Sequence, residues 1–253
     1  MAHQNNNFLS YTADHKNILM LERKYYELLH KIVSSNIFSN ELKSLSNSIN
    51  KISKYVIKNA SKTNPCDLAV QRFLQYRLFK DKLLAPVISG IYPSTISSDV
   101  AFVTKDAVIN IDTKTTYLEN NKGDWTRKIV SKNQSSFKHK PYKRPNGINA
   151  KVNFLLDPKY GNKPVLSYVF SIFYSFDKNN GIFSWVQNSP TNVKFACIPN
   201  GGVSTLFNNE IIFGVKHYQK ANLTDSVRID HHVLKERYDN KGNKWSGFHD
   251  WKI

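Results

Sequence analysis

Two carboxylates and one amine are spaced along the chain in a way that suits metal-assisted chemistry on a phosphate. Asp99 precedes a pair of short apolar runs, and Asp112-Thr113-Lys114 closes the second run. Because alternate side chains of a strand point the same way, Asp112 and Lys114 share one face. Folding the runs into a hairpin brings Asp99 beside them. Hard oxygen ligands suit Mg²⁺, and a neighbouring lysine can orient a water and stabilise growing charge.

The same residues also have a purely structural interpretation. A carboxylate two positions before a lysine is a common sequence, and Asp112 and Lys114 would then form a surface ion pair. Asp99 and the polar break at residues 104–106 would be ordinary turn residues. The apolar hairpin between the acids, the helix before it and the basic segment after it favour the chemical interpretation.

The elements that must position these residues begin with helices. Apolar residues recur at helical intervals over residues 19–59, which predicts two amphipathic helices for packing and assembly. Asn64-Pro65 predicts the start of a third helix that runs toward Lys82, because Asn caps well and Pro suits the first helical position.

Strands are predicted after Pro86. The polar break separates runs at 100–103 and 107–111, which predicts an antiparallel hairpin. The further strand candidates are residues 165–176, 182–186, 194–198, 211–215 and 227–233. Helices followed by strands predict a single α/β domain over residues 1–253, with a central mixed sheet flanked by helices.

The composition is strongly basic. Lys and Arg number 36 against 19 Asp and Glu, so the net charge is +17 in a chain that is 40% hydrophobic. A folded cationic surface favours a polyanionic partner, although a lysine-rich bias by itself supports this weakly.

Two cysteines are too few for a disulfide scaffold, and no Cys/His spacing suggests zinc. With no signal-like N-terminus and no long apolar stretch, a cytoplasmic protein that contacts no membrane is expected.

The catalytic segment resembles a known family. Asp99 with Asp112-Thr113-Lys114 resembles the PD-(D/E)xK nuclease signature, and Ile111 through Tyr117 resembles the catalytic strand of type II restriction endonucleases. It is most similar to the branch that makes blunt ends or 3′ overhangs. Weaker similarity continues at 123–125, 133–135, 197–201 and 227–230. One departure is Ser98, where the family usually has Pro.

This resemblance implies a restriction-endonuclease-like fold and a homodimeric, Mg²⁺-dependent enzyme that hydrolyses phosphodiesters in both strands of a short DNA sequence. Asp99 and Asp112 would hold the metal, Thr113 would add a backbone carbonyl, and Lys114 would position the nucleophilic water. The family often adds an acid from an upstream helix, and the sequence leaves Glu22 and Glu27 as alternatives. Residues 1–65 would form the helical packing and dimerisation part, 66–120 the catalytic hairpin, and 121–253 the DNA-contacting part.

The DNA contacts are expected in two segments. Residues 122–144 hold eight Lys and Arg with the single acid Asp124, which favours a DNA-contacting loop over a merely solvated face. Amides suit base edges and cations suit phosphates, which gives the candidates Asn133, Gln134, Lys128, Lys132, Lys138, Lys140 and Arg144. Strand alternation also puts Arg228, Asp230 and His232 on one face, where they would read bases unless Arg228 and Asp230 form a structural ion pair.

Three other functions remain open. Asp230-His231-His232, with Asn240, Asn243 and His249 downstream, loosely resembles an HNH metal finger, although the spacing is poor. A structure-directed repair or recombination nuclease would use the same fold. A non-enzymatic basic DNA-binding protein would use only the cationic segment.

Overall fold

The computed structural model describes residues 3–56, 65–91, 99–117, 127–131, 137–138, 151–152, 156–157, 163–177, 179–180, 182–187, 189–198, 211–213, 226–230, 234–239 and 241–253. Its helices are α1 (His3–Val33), α2 (Asn36–Val56) and α3 (Pro65–Lys80), followed by a 3₁₀ turn at Ala85–Val87. The strands are β1 (Ile88–Ile91), β2 (Val100–Thr104), β3 (Val108–Tyr117), β4 (Arg127–Ser131), β5 (Phe137–Lys138), β6 (Lys151–Val152), β7 (Leu156–Asp157), β8 (Lys163–Asp177), β9 (Ile182–Trp185), β10 (Val193–Ile198), β11 (Ile211–Phe213), β12 (Ser226–Asp230), β13 (Arg237–Tyr238), β14 (Lys244–Trp245) and β15 (Phe248–Trp251).

A mixed sheet forms the centre of the fold, as predicted. Its strand order is β1-β2-β3-β8-β10-β15, and β7 and β9 also pair with β8. Strands β3 and β8 run parallel over ten residue pairs, from Val108–Val165 to Tyr117–Tyr174. Strand β3 therefore continues beyond residue 111, where the predicted apolar run ends, because β8 supplies a partner for its polar half.

The helices bury their apolar stripes against one face of this sheet. Leu21, Tyr25 and Ile32 of α1 join one core cluster with Leu42 and Ile49 of α2. The strands contribute alternate residues to the same cluster, including Ile109, Ile111, Tyr168, Phe170, Phe195 and Cys197. The helical periodicity therefore reports core packing within one chain, and the predicted role in assembly remains a prediction.

Polar contacts mark the start of α2 and hold this helix on the sheet. Ser35 caps the N-terminus of α2, because its Oγ accepts a 3.2 Å hydrogen bond from the Phe38 N–H. Asn50 then ties α2 to β9 through Phe183: the Asn50 amide donates to the Phe183 carbonyl at 2.9 Å and accepts from its N–H at 2.6 Å. These two hydrogen bonds join a side chain of α2 to the backbone of β9, so they fix the position of the helix along the sheet.

The opposite face of the sheet is more polar. The alternate residues of β3, β8 and β10 include the buried polar side chains Asn110, Asp112, Ser167, Ser171 and Lys194. A small apolar cluster of Ala101, Val103, Val108 and Val165 lies on this side as well. Burying several polar groups lowers the stability of a fold unless they are hydrogen-bonded. Their presence on one face therefore indicates that this face serves a function other than packing.

A separate three-stranded sheet, β11-β12-β4, joins the two segments expected to contact DNA. Residues 127–131 form strand β4, and 137–138 form β5, so this part of the basic segment is not the loop that was predicted. The reason is pairing: β4 lies antiparallel to β12, with Asp230 opposite Arg127 and Arg228 opposite Ile129.

Among the residues that the structure describes, no helix combines the length and the apolar character needed to cross a membrane. The side chains of both cysteines, Cys66 and Cys197, are buried. Burial raises the pKa of each thiol, so both remain protonated near neutral pH.

Candidate active site

The hairpin of β2 and β3 brings the two acids of the motif together. The strands pair antiparallel from Val100–Ile111 to Val103–Val108. The turn at 104–106 is closed by Thr104, whose N–H donates to the Ala107 carbonyl at 2.8 Å. Asp106 accepts hydrogen bonds from Tyr25 and Lys24 of α1, which lower its pKa although burial opposes the shift. Asp106 is therefore a structural turn residue, as one interpretation of the sequence held.

Asp99 is held against the catalytic strand by its own carboxylate. Its Oδ2 accepts a 2.6 Å hydrogen bond from the Thr113 N–H and another of 2.6 Å from the Thr113 hydroxyl. All the hydrogen bonds that this carboxylate makes with described residues involve Oδ2. The other oxygen, Oδ1, accepts no hydrogen bond from the described residues.

Asp112 and Lys114 form an ion pair on the polar face of the sheet. Lys114 Nζ lies 2.5 Å from Asp112 Oδ2, and the lysine side chain is 40% exposed whereas that of Asp112 is only 12% exposed. Burial lowers the pKa of Lys114, but the charges of Asp112 and Asp99, with a further contribution from Asp67, more than offset it and raise the pKa. Lys114 is thus a positively charged group.

The members of the predicted trio are linked through Thr113, which lies between Asp112 and Lys114 in the chain and holds the Asp99 carboxylate. Asp99 contacts Thr113, Lys114 contacts Asp112, and the field of Asp99 acts on Lys114. Two carboxylates with an adjacent backbone carbonyl are a donor set that fits Mg²⁺, which takes one or two carboxylates and keeps several waters. No cluster of three or more His, Cys, Asp or Glu side chains suited to a metal exists within the described ranges.

Helix α3 contributes two residues that sequence reasoning missed. Gln71 donates a 3.0 Å hydrogen bond from Nε2 to the backbone carbonyl of Asp99. Asp67 lies one helical turn before Gln71 and acts electrostatically on Lys114. The available signal was the spacing of these two polar residues, four apart on a helix that immediately precedes the motif.

The two upstream glutamates are engaged elsewhere. Glu22 is buried and forms an ion pair with Arg237 near the end of the chain. Glu27 is exposed and pairs with Arg23 at 2.7 Å, on the same helix. Neither contact involves Asp99, Asp112 or Lys114.

Lys194 is a further charged residue on the active face. The strand register places Lys114 opposite Ser171, Ser171 opposite Lys194, and Lys194 opposite Asp250. Burial lowers the pKa of Lys194 to about 8, although Asp250 opposes the shift, and Lys235 adds to it. The residues on either side of Lys194 in β10 are buried core residues, so the sequence did not mark Lys194 as a site residue.

The candidate DNA-contacting residues are placed only in part. Lys128 lies on β4 opposite Ile229, Lys138 lies on β5, and Arg228 and Asp230 lie on β12. Residues Lys132, Asn133, Gln134, Lys140, Arg144 and His232 lie outside the described residues. The structure therefore brings the two predicted segments together in one small sheet and leaves each residue's role as a prediction.

The HNH alternative receives no support from its described members. His249 belongs to β15, and its Nδ1 lies 2.8 Å from the Tyr26 hydroxyl. The His249 ring also stacks on His30, with the ring centroids 4.1 Å apart. Asn243 donates to the Asp239 carboxylate at 3.1 Å in a tight turn. These side chains are parts of packing and turn structure.

Known proteins resemble this chain in sequence and in fold. The family model described as type II restriction enzyme MwoI, N-terminal domain, matches residues 14–179. The crystal structure of the restriction endonuclease BglI bound to its DNA recognition sequence is similar in fold, with a TM-score of 0.60, 15% identity, and 91% of each chain covered. The tetrameric restriction endonuclease SfiI bound to cognate DNA gives a TM-score of 0.46 at 10% identity, covering 88% of this chain and 97% of that one. No curated protein sequence matches.

Proposed function

The chain belongs to the family of the type II restriction enzyme MwoI, and from that premise we propose that Asp99, Asp112 and Lys114 carry out its cleavage of DNA. The predicted assignment as a type II restriction endonuclease, an enzyme that cuts DNA at specific sequences, is confirmed by this membership. The residue roles, the metal and the assembly are the parts that we propose. The observations that support them are the ion pair of Lys114 with Asp112, the hold of Thr113 on the Asp99 carboxylate, and the charge of Asp99 acting on Lys114.

Each residue of the trio has a distinct role in this proposal. Asp99 and Asp112 would hold Mg²⁺, and the backbone carbonyl of Thr113 would add an oxygen. The ion, when bound, supplies an activated water and neutralises charge on the phosphate. Lys114 orients that water and stabilises the negative charge that develops as the phosphodiester bond breaks. The ion pair of Lys114 with Asp112 at 2.5 Å keeps the lysine in position for this.

We propose that the enzyme works as a homodimer. Cutting both strands of a duplex requires two sets of catalytic groups, and one set lies on each chain. A two-fold dimer would present these two sets to the two antiparallel strands of DNA. Sedimentation analysis of the protein with and without its DNA site tests this assembly.

The DNA would lie along the two segments that were predicted to contact it. The pairing of β4 with β12 brings these segments side by side, with Lys128 opposite Ile229, so the backbone of the cationic segment adjoins that of the segment that suits base edges. Asn133, Gln134 and His232 would add base contacts, and Lys132, Lys138, Lys140 and Arg144 would add phosphate contacts. Two cysteines are too few for a disulfide scaffold and fit the reducing cytoplasm, where we expect the enzyme to act.

Digestion of plasmids of known sequence tests the proposal. With Mg²⁺ we expect discrete fragments, and run-off sequencing of the ends then gives the recognition site and the cleavage position in each strand. The strand motif favours blunt ends or 3′ overhangs. Fragments that depend on DNA structure and share no sequence would instead support a repair nuclease. The absence of cutting with Mg²⁺ and Mn²⁺ would support a binding protein.

A further inference from the structure

We propose that Gln71 is a positioning residue that fixes Asp99 for metal binding. The inference rests on the proposed role of Asp99 as a metal-holding carboxylate. It assigns a function to the hydrogen bond that joins α3 to Asp99. Gln71 touches neither substrate nor metal in this proposal. It acts through the backbone of Asp99, to whose carbonyl its Nε2 donates at 3.0 Å.

Gln71 is well placed to hold Asp99 in position. Its neighbours Val70 and Leu74 are fully buried in the main core, so the helix backbone at Gln71 is anchored. Helix α3 packs directly against strands β2 and β3. The amide of Gln71 therefore extends from a fixed helix to the residue that enters β2, and it ties that residue to the core.

Asp99 needs such a tie because of where it lies. The pairing of β2 with β3 begins at Val100 with Ile111, so Asp99 comes just before the first pair of the ladder. Its carboxylate is held by Thr113, and its carbonyl is held by Gln71. Asp99 is thus held both at its carboxylate and at its backbone carbonyl, which limits the rotation of its side chain.

The physical consequence concerns preorganisation. A carboxylate that already points at the ion loses little rotational freedom on binding, whereas a mobile one must be ordered at a cost in affinity. Groups that orient metal ligands without touching the metal typically contribute 10- to 100-fold in metal affinity or activity when they are removed. Loss of the Gln71 amide should therefore weaken metal binding more than it weakens the fold.

The test uses Gln71→Met, which has a similar length and no donor. Gln75→Met is the matched control, since Gln75 lies one turn later on α3 and accepts an exposed 3.2 Å hydrogen bond from Arg72. Two metal measurements are made on the full chain with its DNA site. One is the Ca²⁺ concentration for half-maximal DNA binding by fluorescence anisotropy, and the other is the Mg²⁺ concentration for half-maximal cleavage.

We expect Gln71→Met to raise both half-saturating concentrations about tenfold, with DNA affinity at saturating Ca²⁺ and the melting temperature close to wild type. Gln75→Met should change neither. Wild-type half-saturation in Gln71→Met overturns the inference, and so does a lowered melting temperature with unchanged metal dependence, which is the result of a merely structural role.

A second variant keeps the test decisive if Gln71→Met fails to fold. Gln71→Asn keeps the polar group but withdraws it by one methylene, so the amide no longer reaches the Asp99 carbonyl, and it is scored in the same way. If the wild-type enzyme cuts nothing, the proposed function fails, whereas the Ca²⁺ measurement still decides whether Gln71 supports metal binding at Asp99. The two failures are therefore distinguishable.

Discussion

Asp99 and Thr113 are joined by two hydrogen bonds of 2.6 Å, both to the same carboxylate oxygen of Asp99. One donor is the backbone N–H of Thr113, which any residue at this position would supply. The other is the Thr113 hydroxyl, which depends on the side chain. This pair joins the start of β2 to the catalytic strand and sets which oxygen of Asp99 remains for other partners.

Thr113→Val is therefore expected to lower the cleavage rate about tenfold, because a hydrogen bond to a charged group is worth about 1.5–3 kcal/mol and the backbone donor remains. Thr113→Ser keeps the hydroxyl and should retain most of the rate. Single-turnover cleavage at saturating Mg²⁺ measures both variants. Thr115→Val, two residues along β3, is the control. Equal rates for Thr113→Val and Thr113→Ser would show that the hydroxyl is not needed.

Asp112→Asn and Lys114→Ala should each lower the cleavage rate on the order of 10²- to 10³-fold or more, since the first removes a charge that holds the metal and the second removes a charge that acts at the reacting phosphate. Sequence-specific DNA binding in Ca²⁺ should remain measurable for Lys114→Ala. Lys105→Ala is the matched control, because Lys105 is an exposed lysine in the turn of the same hairpin. Cleavage by either active-site variant at the rate of Lys105→Ala would remove that residue from the mechanism.

Glu22→Ala should lower the free energy of unfolding by about 3–5 kcal/mol, because it leaves the guanidinium of Arg237 buried without its carboxylate. Urea denaturation measures the change. The double variant Glu22→Leu with Arg237→Met should recover much of the loss, since it replaces both charges by apolar groups. Glu27→Gln should alter neither stability nor cleavage, and strong loss of cleavage in Glu27→Gln would return this glutamate to the active site.

The basic segment is tested by the salt dependence of DNA binding. If Lys138 and Lys140 neutralise one phosphate each, replacing either by Ala should reduce the slope of log affinity against log salt by about 0.9. The effect should be the same on specific and nonspecific DNA. Lys51→Ala, an exposed lysine on α2, serves as the control. Slopes that match the wild type would place these lysines away from the phosphates.

His30 should make the fold less stable as the pH falls below about 6.5. Burial, with the nearby His249, lowers the pKa of His30 to about 4 in the folded chain, against a usual value of about 6.5. The unfolded chain therefore binds more protons between these values, and stability that is complete above pH 6.5 is lost progressively toward pH 4. The loss should be on the order of 2 kcal/mol after solvent screening.

His30→Phe keeps a ring against His249 and removes the titration. Urea denaturation at pH 7 and at pH 4.5 should show a smaller loss for His30→Phe than for the wild type, whereas Lys31→Ala should follow the wild type. The same acid loss in all three proteins would mean that His30 does not contribute to the pH dependence.

The trio of the motif was accessible to sequence reasoning because strand alternation and one hairpin determine its geometry. Asp112 and Lys114 share a face by the period of a strand, and Asp99 follows from the pairing of two apolar runs. The central strand at 165–176 was equally clear, since a long apolar run can only lie in the middle of a sheet. The structure extends it to Lys163–Asp177.

Other features depend on contacts between distant parts of the chain. Glu22 looks available in the sequence, yet it is paired with Arg237, which lies more than two hundred residues later. The motif predicts the polar half of β3 as a strand, but the sequence does not reveal that its partner is β8. Gln71 carries no motif, and its contact with Asp99 requires the packing of α3 on the hairpin. Local periodicity contains none of this information.

The division of the central sheet into an apolar side and a polar side has a consequence for how such a protein can diversify. Side chains such as Ile111 and Tyr168 anchor the scaffold on one side, and those such as Asp112 and Lys194 project from the other. Because neighbouring residues of each strand serve separate purposes, substitutions on the projecting side should change cleavage with little loss of folding, whereas substitutions on the anchoring side should unfold the chain. Deep mutational scanning that scores the amount of folded protein should therefore show tolerance alternating residue by residue along β3, β8 and β10.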